Sequence, residues 1–245
     1  FAHDRIQEAA YSLIPEAEKA AVHLRIGNVL REKIPQGQQD ERIFDIVNQL
    51  NWGRTLIESP DDILRLAELN LHAGKRAKAS TAYQPALRYF TIGTELLPEG
   101  SWDSHHTLTF TLHREWYECE YLTAHFDEAE ALFTHILSHT ASSLEQAEIY
   151  NIGIVQYTMI SRDKEALEMG REALKLFGVE LPEHNAQTAA QREFEDVRIN
   201  LGARDIADLI DLPMMTDPEQ QESIKLLMNL VPPSYVTRDL VLFSF

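Results

Sequence analysis

Apolar residues recur every three or four positions along most of this chain. Val22, Ile26 and Val29 form one such stripe, and the stretch from Ile43 to Leu50 repeats the spacing. This period places apolar side chains on one face of an α-helix. No segment alternates between apolar and polar residues long enough to indicate a β-strand. The pattern therefore predicts an all-α fold.

Prolines and glycines divide the helical pattern. Breaks are predicted at Ile34–Gly37, Ser59–Asp61 and Leu212–Pro218. At the second break the serine can cap the following helix, and the proline suits its first position. Another helix is predicted over Glu219–Leu230. We expect Val231–Ser234 to end it, because proline removes a backbone donor and clashes inside a helix.

One stretch fits the tetratricopeptide repeat, a pair of antiparallel helices in about 34 residues. With Ala67 as position one, Gly74 falls on the eighth position and Ala86 on the twentieth. These are the places where the paired helices approach closely and small residues are needed. Phe90 fills the twenty-fourth position, and Pro98 stands at the helix-ending thirty-second. The spacing predicts that Gly74 contacts the second helix of its pair.

The second-helix phrase returns twice, which predicts a stack of degenerate repeats. Ala86, Ala129 and Ala166 are equivalent, at separations of 43 and 37 residues. Such helix pairs bury a continuous core between neighbours, so the predicted architecture is a tetratricopeptide-like α-solenoid. The predicted divisions are listed in chain order: first helical hairpins at 15–66, tetratricopeptide-like repeats at 67–178, and divergent, truncated helical repeats at 179–245.

The charge balance restricts the classes of partner. The chain carries 39 acidic and 22 basic residues, for a net charge of −17. Such a field repels a nucleic-acid backbone and an anionic membrane surface. Two interpretations remain, a well-solvated helix surface and an acidic face that steers a basic protein partner. Cys119 is the single cysteine, so no internal disulfide forms, and we expect a cytoplasmic protein.

Several motifs that carry chemistry in other proteins are incomplete here. Gly74 and Lys75 resemble the end of a phosphate-binding loop, but the first glycine and the Ser/Thr are missing. His135 and His139 have a zinc-ligand spacing without an obvious third ligand. His113-Arg114-Glu115 has the His-x-Glu pattern of zinc deaminases but no Cys-x-x-Cys partner. We predict no catalytic, cofactor-binding or metal-binding residues in this segment.

Two features keep a function open. His3 and Asp4, with other histidines, could serve a metal-dependent hydrolase, which is an alternative to a non-enzymatic role. Aromatic residues also cluster through the repeats. At helical spacing most of them are expected to fill the space between helices. Our hypothesis is that a groove between Tyr83 and Tyr157 grips a protein partner.

The chain also resembles a known family along nearly its whole length. Its opening residues resemble the end of the winged-helix region in STAND-like predicted ATPases, which assigns 1–14 to that region. The other matching segments are His23–Gly27, Phe44–Asn51, Ala67–Leu71, Ala77–Tyr83, Leu212–Pro218 and Pro233–Tyr235. The resemblance is greatest to multidomain bacterial sensor kinases, with a Ser/Thr-kinase-like domain, an ATPase module, this helical region and a histidine kinase.

The resemblance implies a role in signal transduction. The nucleotide motifs of such proteins lie upstream of the region matched here, so ATP belongs to the parent protein and no cofactor to this segment. The implied function is a non-catalytic protein-interaction and signal-relay module. Its partners would be its own ATPase and kinase domains or a regulatory protein. The alternative is a structural spacer between ATPase and kinase; the oligomeric state is left open.

Overall fold

The computed structural model describes Ala9, residues 11–181 and residues 186–238. All regular structure in these residues is helical, without a β-strand, which confirms the predicted all-α class. Two short 3-10 helices cover Arg54–Leu56 and Ile206–Asp211. The α-helices are α1 Glu16–Lys33, α2 Gln36–Gln39, α3 Ile43–Trp52, α4 Pro60–Ala79, α5 Tyr83–Glu95, α6 Ser101–Ser104, α7 His106–Leu122, α8 Phe126–Leu137, α9 Ser143–Met159, α10 Asp163–Lys175, α11 Ala186–Leu201 and α12 Pro218–Thr237.

The predicted breaks at Ser59 and Asp217 are helix starts with side-chain caps. The backbone N–H of Asp62 donates to Ser59 Oγ at 3.4 Å, and a proline follows at the first helical position. Asp217 Oδ1 accepts from the backbone N–H of Glu219 at 2.9 Å, again ahead of a proline. Each cap satisfies a backbone donor that has no partner inside the helix.

The predicted helix end at Val231–Ser234 is wrong, because α12 continues through Pro232 and Pro233 to Thr237. An interior proline costs about 3 kcal/mol. Packing outweighs this cost, since Leu230 is only 2% exposed and Pro233 itself is buried.

The chain divides into two compact units, unit 1 (Phe1–Leu132) and unit 2 (Phe133–Phe245). In unit 1, α1 packs on α3, α3 on α4, α4 on α5, and α5 on α7. Each contact joins a helix to a near neighbour in the sequence. Residues at the centre of this unit include Ile43, Val47, Ala67, Ala73, Ala77, Ala86, Phe90, Leu112 and Cys119.

Helices α4 and α5 form an antiparallel pair. A Cβ added at Gly74 would lie 2.3 Å from the ring of Phe90, and one at Gly93 would lie 3.4 Å from the carbonyl oxygen of Ala67. Contacts that move backwards along α4 therefore move forwards along α5. Ala86 is fully buried. The prediction that Gly74 permits a close helix contact is confirmed.

In unit 2, α9 packs on α10, and α12 packs on both. Gly170 on α10 makes the closest approach, because an added Cβ would lie 2.2 Å from a methyl group of Leu230 on α12. The buried apolar residues include Ala147, Ile154, Ala166, Leu167, Ala173, Leu174, Leu226 and Leu230.

Helices α4, α7 and α9 end in the same three-residue turn. The middle residues Thr81, Ala124 and Ser161 have φ of 59°, 64° and 60°, in the left-handed region. In each turn the next N–H donates to the carbonyl five residues back, at 2.8–2.9 Å. This is the Schellman helix ending. The middle residue always lies five positions before an equivalent alanine, Ala86, Ala129 or Ala166.

The predicted divisions at 15–66, 67–178 and 179–245 stay predictions. The winged-helix-like assignment falls on residues 1–14, most of which lie outside the described residues.

Candidate protein-interaction site

An open cleft of about 1010 Å³ lies in unit 2. Helices α8, α9 and α10 and the segment that follows α10 supply its walls. The lining residues are aromatic, apolar and charged: Phe133, Tyr150, Tyr157, Glu165, Glu168, Met169, Arg171, Glu172, Lys175, Glu180 and Leu181. Among the lining residues that the structure describes, four glutamates against two basic residues give a negative balance.

Local contacts hold the aromatic side chains of the cleft. The ring of Phe133 meets Tyr150 edge-on, with centroids 5.6 Å apart. The guanidinium of Arg162 lies 4.5 Å from the centroid of Tyr157. Burial, aided by the charge of Glu172, raises the pKa of Tyr150, so its phenol stays protonated at neutral pH. The cleft thus presents ordered rings with polar edges, a combination that suits protein interfaces.

The carboxylates of the cleft fall into two groups. Glu165 accepts from Arg162 Nε at 3.0 Å, and Glu172 accepts from Lys175 Nζ at 2.7 Å. The backbone N–H of Glu165, together with Arg162, holds the pKa of this carboxyl below its usual value. Glu168 and Glu180 make no ion pair with the other described residues. These two carboxylates are available to a cationic ligand.

One side chain of α10 holds the segment that follows this helix and forms part of the cleft wall. Arg171 Nη1 donates to the carbonyl oxygen of Leu181 at 3.2 Å, and Leu181 is buried. Neither residue carries a sequence signal for a site. The apolar–acidic face of α10 is visible in its sequence, but the path of the loop is not periodic and gives no such signal.

The chain is similar to a signalling kinase. It is 28% identical over 235 residues to the hybrid signal transduction histidine kinase G of Dictyostelium discoideum. The match covers 86% of this chain but spans only 7% of the kinase. No family model matches the chain, and no solved structure matches it significantly.

The hypothesised groove between Tyr83 and Tyr157 has its ends in different units. Tyr157 and its neighbour Tyr150 line the cleft of unit 2, whereas Tyr83 begins α5 in unit 1. The wider groove stays a prediction. In the structure, Tyr150 and Tyr157 lie together in the cleft of unit 2, which Met169 and Glu180 also line.

The histidine pair on α8 is held by its own helix. The rings of His135 and His139 have centroids 4.6 Å apart, and His139 Nδ1 donates to the carbonyl oxygen of His135 at 2.9 Å. Burial and the neighbouring His139 lower the pKa of His135. No group of three or more His, Cys, Asp or Glu side chains within the described ranges could hold a metal ion. His3 and Asp4 lie outside the described residues.

The His113-Arg114-Glu115 motif belongs to the interior of unit 1. His113 Nδ1 donates to the carbonyl oxygen of Thr109 at 2.8 Å, and its ring lies 4.8 Å from that of Trp102. Glu115 is 4% exposed and accepts hydrogen bonds from Lys78 and Arg114. These contacts give both residues structural roles.

Cys119 is fully buried, and burial raises the pKa of its thiol to about 12. A thiol in this state is a poor nucleophile at neutral pH.

Among the described residues, no helix combines the length and the apolarity needed to cross a bilayer.

Proposed function

We propose that this chain is a protein-interaction and signal-relay module of a larger signalling protein. Its similarity to a short part of a hybrid histidine kinase supports this role. In this proposal the module has no catalytic residues or cofactor, and nucleotide chemistry belongs to other domains. With its single cysteine it needs no oxidising compartment, and we place it in the cytoplasm.

The proposed architecture is a tetratricopeptide-like α-solenoid of antiparallel helix pairs. Two observations support it: the close contact between Gly74 and Phe90, and the turn that recurs at Thr81, Ala124 and Ser161. Solenoids of this type expose long grooves and serve as binding surfaces.

The cleft of unit 2 is the observation that carries the binding role. Tyr150 and Tyr157 offer broad aromatic surfaces, and aromatic residues contribute a large share of binding energy at protein interfaces. Glu168 and Glu180 provide unpaired negative charge beside them. A partner segment with basic and apolar side chains matches this surface in charge and shape.

A binding experiment tests the cleft directly. A fluorescent peptide of alternating Arg and Leu should bind the purified chain, and Tyr157→Ala should weaken binding about tenfold. The double variant Glu168→Gln/Glu180→Gln should weaken it and reduce its dependence on salt. Glu195→Gln/Glu219→Gln, an equal charge change outside the cleft, is the matched control. Equal loss in both double variants would show that net charge, not the cleft, binds the peptide.

The relay role needs the longer protein. Reading the open reading frame beyond Phe1 and Phe245 should reveal kinase or ATPase motifs, and a reading frame without them would contradict the proposal. In that protein, Tyr157→Ala should change phosphorylation output at equal protein level. Replacement of the segment by an unrelated helical repeat of equal length separates relay from spacer, because a spacer would keep normal output.

A further inference from the structure

A second groove lies in unit 1, between α3 and α5. It has a volume of about 560 Å³. Its lining contains two arginines, two asparagines and a tryptophan, and no acidic residue occurs among the lining residues that the structure describes: Asn48, Asn51, Trp52, Arg54, Pro85, Arg88, Tyr89 and Ile92.

Trp52 is displayed to solvent in a fixed orientation. The residue is 66% exposed, an unusual position for a tryptophan. Its ring stacks on His23, with centroids 5.3 Å apart and planes 21° apart. Hydrogen bonds at 3.0 Å to the Tyr11 hydroxyl and at 2.6 Å to Gln49 Oε1 hold the His23 ring in turn. An aromatic ring fixed before binding loses little conformational entropy when a partner covers it.

The polar side chains of the groove are held by hydrogen bonds on both of its helices. The Tyr89 hydroxyl donates to Asn48 Oδ1 at 2.9 Å, which links α5 to α3. Asn51 and Asn70 exchange two side-chain amide hydrogen bonds at 2.8 and 2.9 Å beneath the groove. The groove is therefore formed before any ligand arrives.

The charge of the groove is opposite to that of the chain. Arg54 and Arg88 both face it in a protein of net charge −17. Arg88 is exposed and pairs with no described residue. Arg54 makes a 3.4 Å contact with Glu95, and both side chains are well exposed. An exposed pair of this kind contributes little and exchanges readily.

We propose that this groove binds an acidic peptide segment of a partner protein, one with an apolar side chain between its carboxylates. The apolar side chain covers Trp52, while Arg54 and Arg88 bind the carboxylates in the bidentate geometry that guanidinium groups favour. Because the remainder of the molecule repels acidic chains, such a segment binds here in one place and one register. The cleft of unit 2 takes the opposite charge, so the two sites select different segments.

Fluorescence anisotropy with short peptides tests this proposal. A labelled peptide of alternating Glu and Leu should bind the full chain at least about tenfold more tightly than a peptide with Gln in place of Glu. Trp52→Ala and Arg54→Gln/Arg88→Gln should each weaken binding of the acidic peptide by about tenfold or more. The double variant should also reduce the dependence of Kd on salt concentration.

Arg25→Gln/Arg65→Gln is the matched control, since both residues are exposed, lie outside the groove and pair with no described residue. Unchanged circular dichroism and thermal unfolding show that the groove variants are folded. Equal affinity for the Glu and Gln peptides overturns the proposal, and so does equal loss in the control. Light scattering provides a further test: self-association that Trp52→Ala abolishes would make the occupant a second copy of this chain, not a partner.

Discussion

The two units use the same turn but place their glycines differently. In unit 1, Gly74 on the first helix of the pair receives Phe90 from the second, and Gly93 on the second helix lies against Leu112 of α7. At the equivalent position unit 2 has the buried Ile154, and Gly170 takes the position of Phe90. Gly170 receives Leu230 from α12. The large and small residues are thus exchanged at these two positions, and the residue at the Phe90 position contacts the following helix in unit 2 instead of the first helix of its own pair.

The polar links between helices differ as well. Unit 1 uses the neutral amide pair of Asn51 and Asn70. In unit 2, Asn151 donates to the carboxylate of Glu222 and accepts from Asn229 at 2.9 Å. Each of these linking side chains has a hydrogen-bond partner, so either link disfavours a shifted helix register. Helix pairs that end in the same turn can therefore be packed with different side chains, provided that the contact space is filled and the polar side chains are hydrogen-bonded.

The largest expected effects come from filling the two glycine contacts. Gly74→Ala and Gly170→Ala should each lower the free energy of unfolding by about 3 kcal/mol, because the new methyl group overlaps a buried side chain. Urea unfolding measures this loss. Gly37→Ala is the control, because nothing lies within 4 Å of the added Cβ, and it should leave stability unchanged or slightly raised.

Second-site changes test the exchange of positions. Phe90→Leu should recover part of the stability lost in Gly74→Ala and none of that lost in Gly170→Ala. Leu230→Ala should do the reverse, because only Leu230 meets the methyl group at position 170. Rescue of either glycine variant by the second-site change from the other unit would contradict the exchange of positions.

An ionic cluster in unit 1 gives the next largest effect. Desolvation opposes the charges of Lys78 and Glu115, but their mutual hydrogen bond, with those to Glu118 and Arg114, outweighs it. The pKa of Lys78 is raised and that of Glu115 lowered. The contribution of Glu115 is full above its ordinary pKa of 4.5 and is lost as pH falls through the lower folded-state value. That of Lys78 is full below 10.5 and is lost as pH rises through the higher folded-state value.

Glu115→Gln should therefore lower the free energy of unfolding by about 2–3 kcal/mol at neutral pH. It should also flatten the loss of stability below pH 4.5. Chemical unfolding across a pH series measures both effects. Glu172→Gln, which breaks an exposed pair with Lys175 in unit 2, should change neither by more than about 0.5 kcal/mol. If Glu115→Gln lost stability below pH 4.5 as steeply as the unsubstituted chain, the ionic cluster would not be the source of this pH dependence.

The sequence predicted the parts of this fold that depend on local pattern. Helical periodicity, the cap at Ser59 and the contact at Gly74 follow from spacing and residue type within one helix pair. The contact of Gly170 with Leu230 joins residues 60 positions apart, and no local pattern reports it. The same holds for α12, where buried packing around Pro233 outweighed the proline signal.

The candidate cleft divides in the same way. Tyr157 bounds the groove that we hypothesised from the sequence, and it lines the cleft together with Tyr150. The bond from Arg171 to Leu181 depends on the path of a loop, which residue type alone does not determine. The position of a residue in such a loop therefore cannot be predicted from the sequence pattern and is given only by the folded structure.

The smallest expected effect concerns the turn that the units share. A residue with a Cβ strains in the left-handed region, whereas glycine does not. Thr81→Gly, Ala124→Gly and Ser161→Gly should therefore each raise the free energy of unfolding, by about 0.5–1 kcal/mol after the entropy that glycine adds to the unfolded chain. Thermal and urea unfolding measure the gain, and Lys75→Gly, at an exposed position inside α4, should instead lose about 1 kcal/mol. Similar gains at Thr81 and Ser161 would show that the left-handed residue of the turn costs the same free energy in both units. A gain in one unit alone would mean that the surrounding side chains, which do differ, determine the cost of the turn.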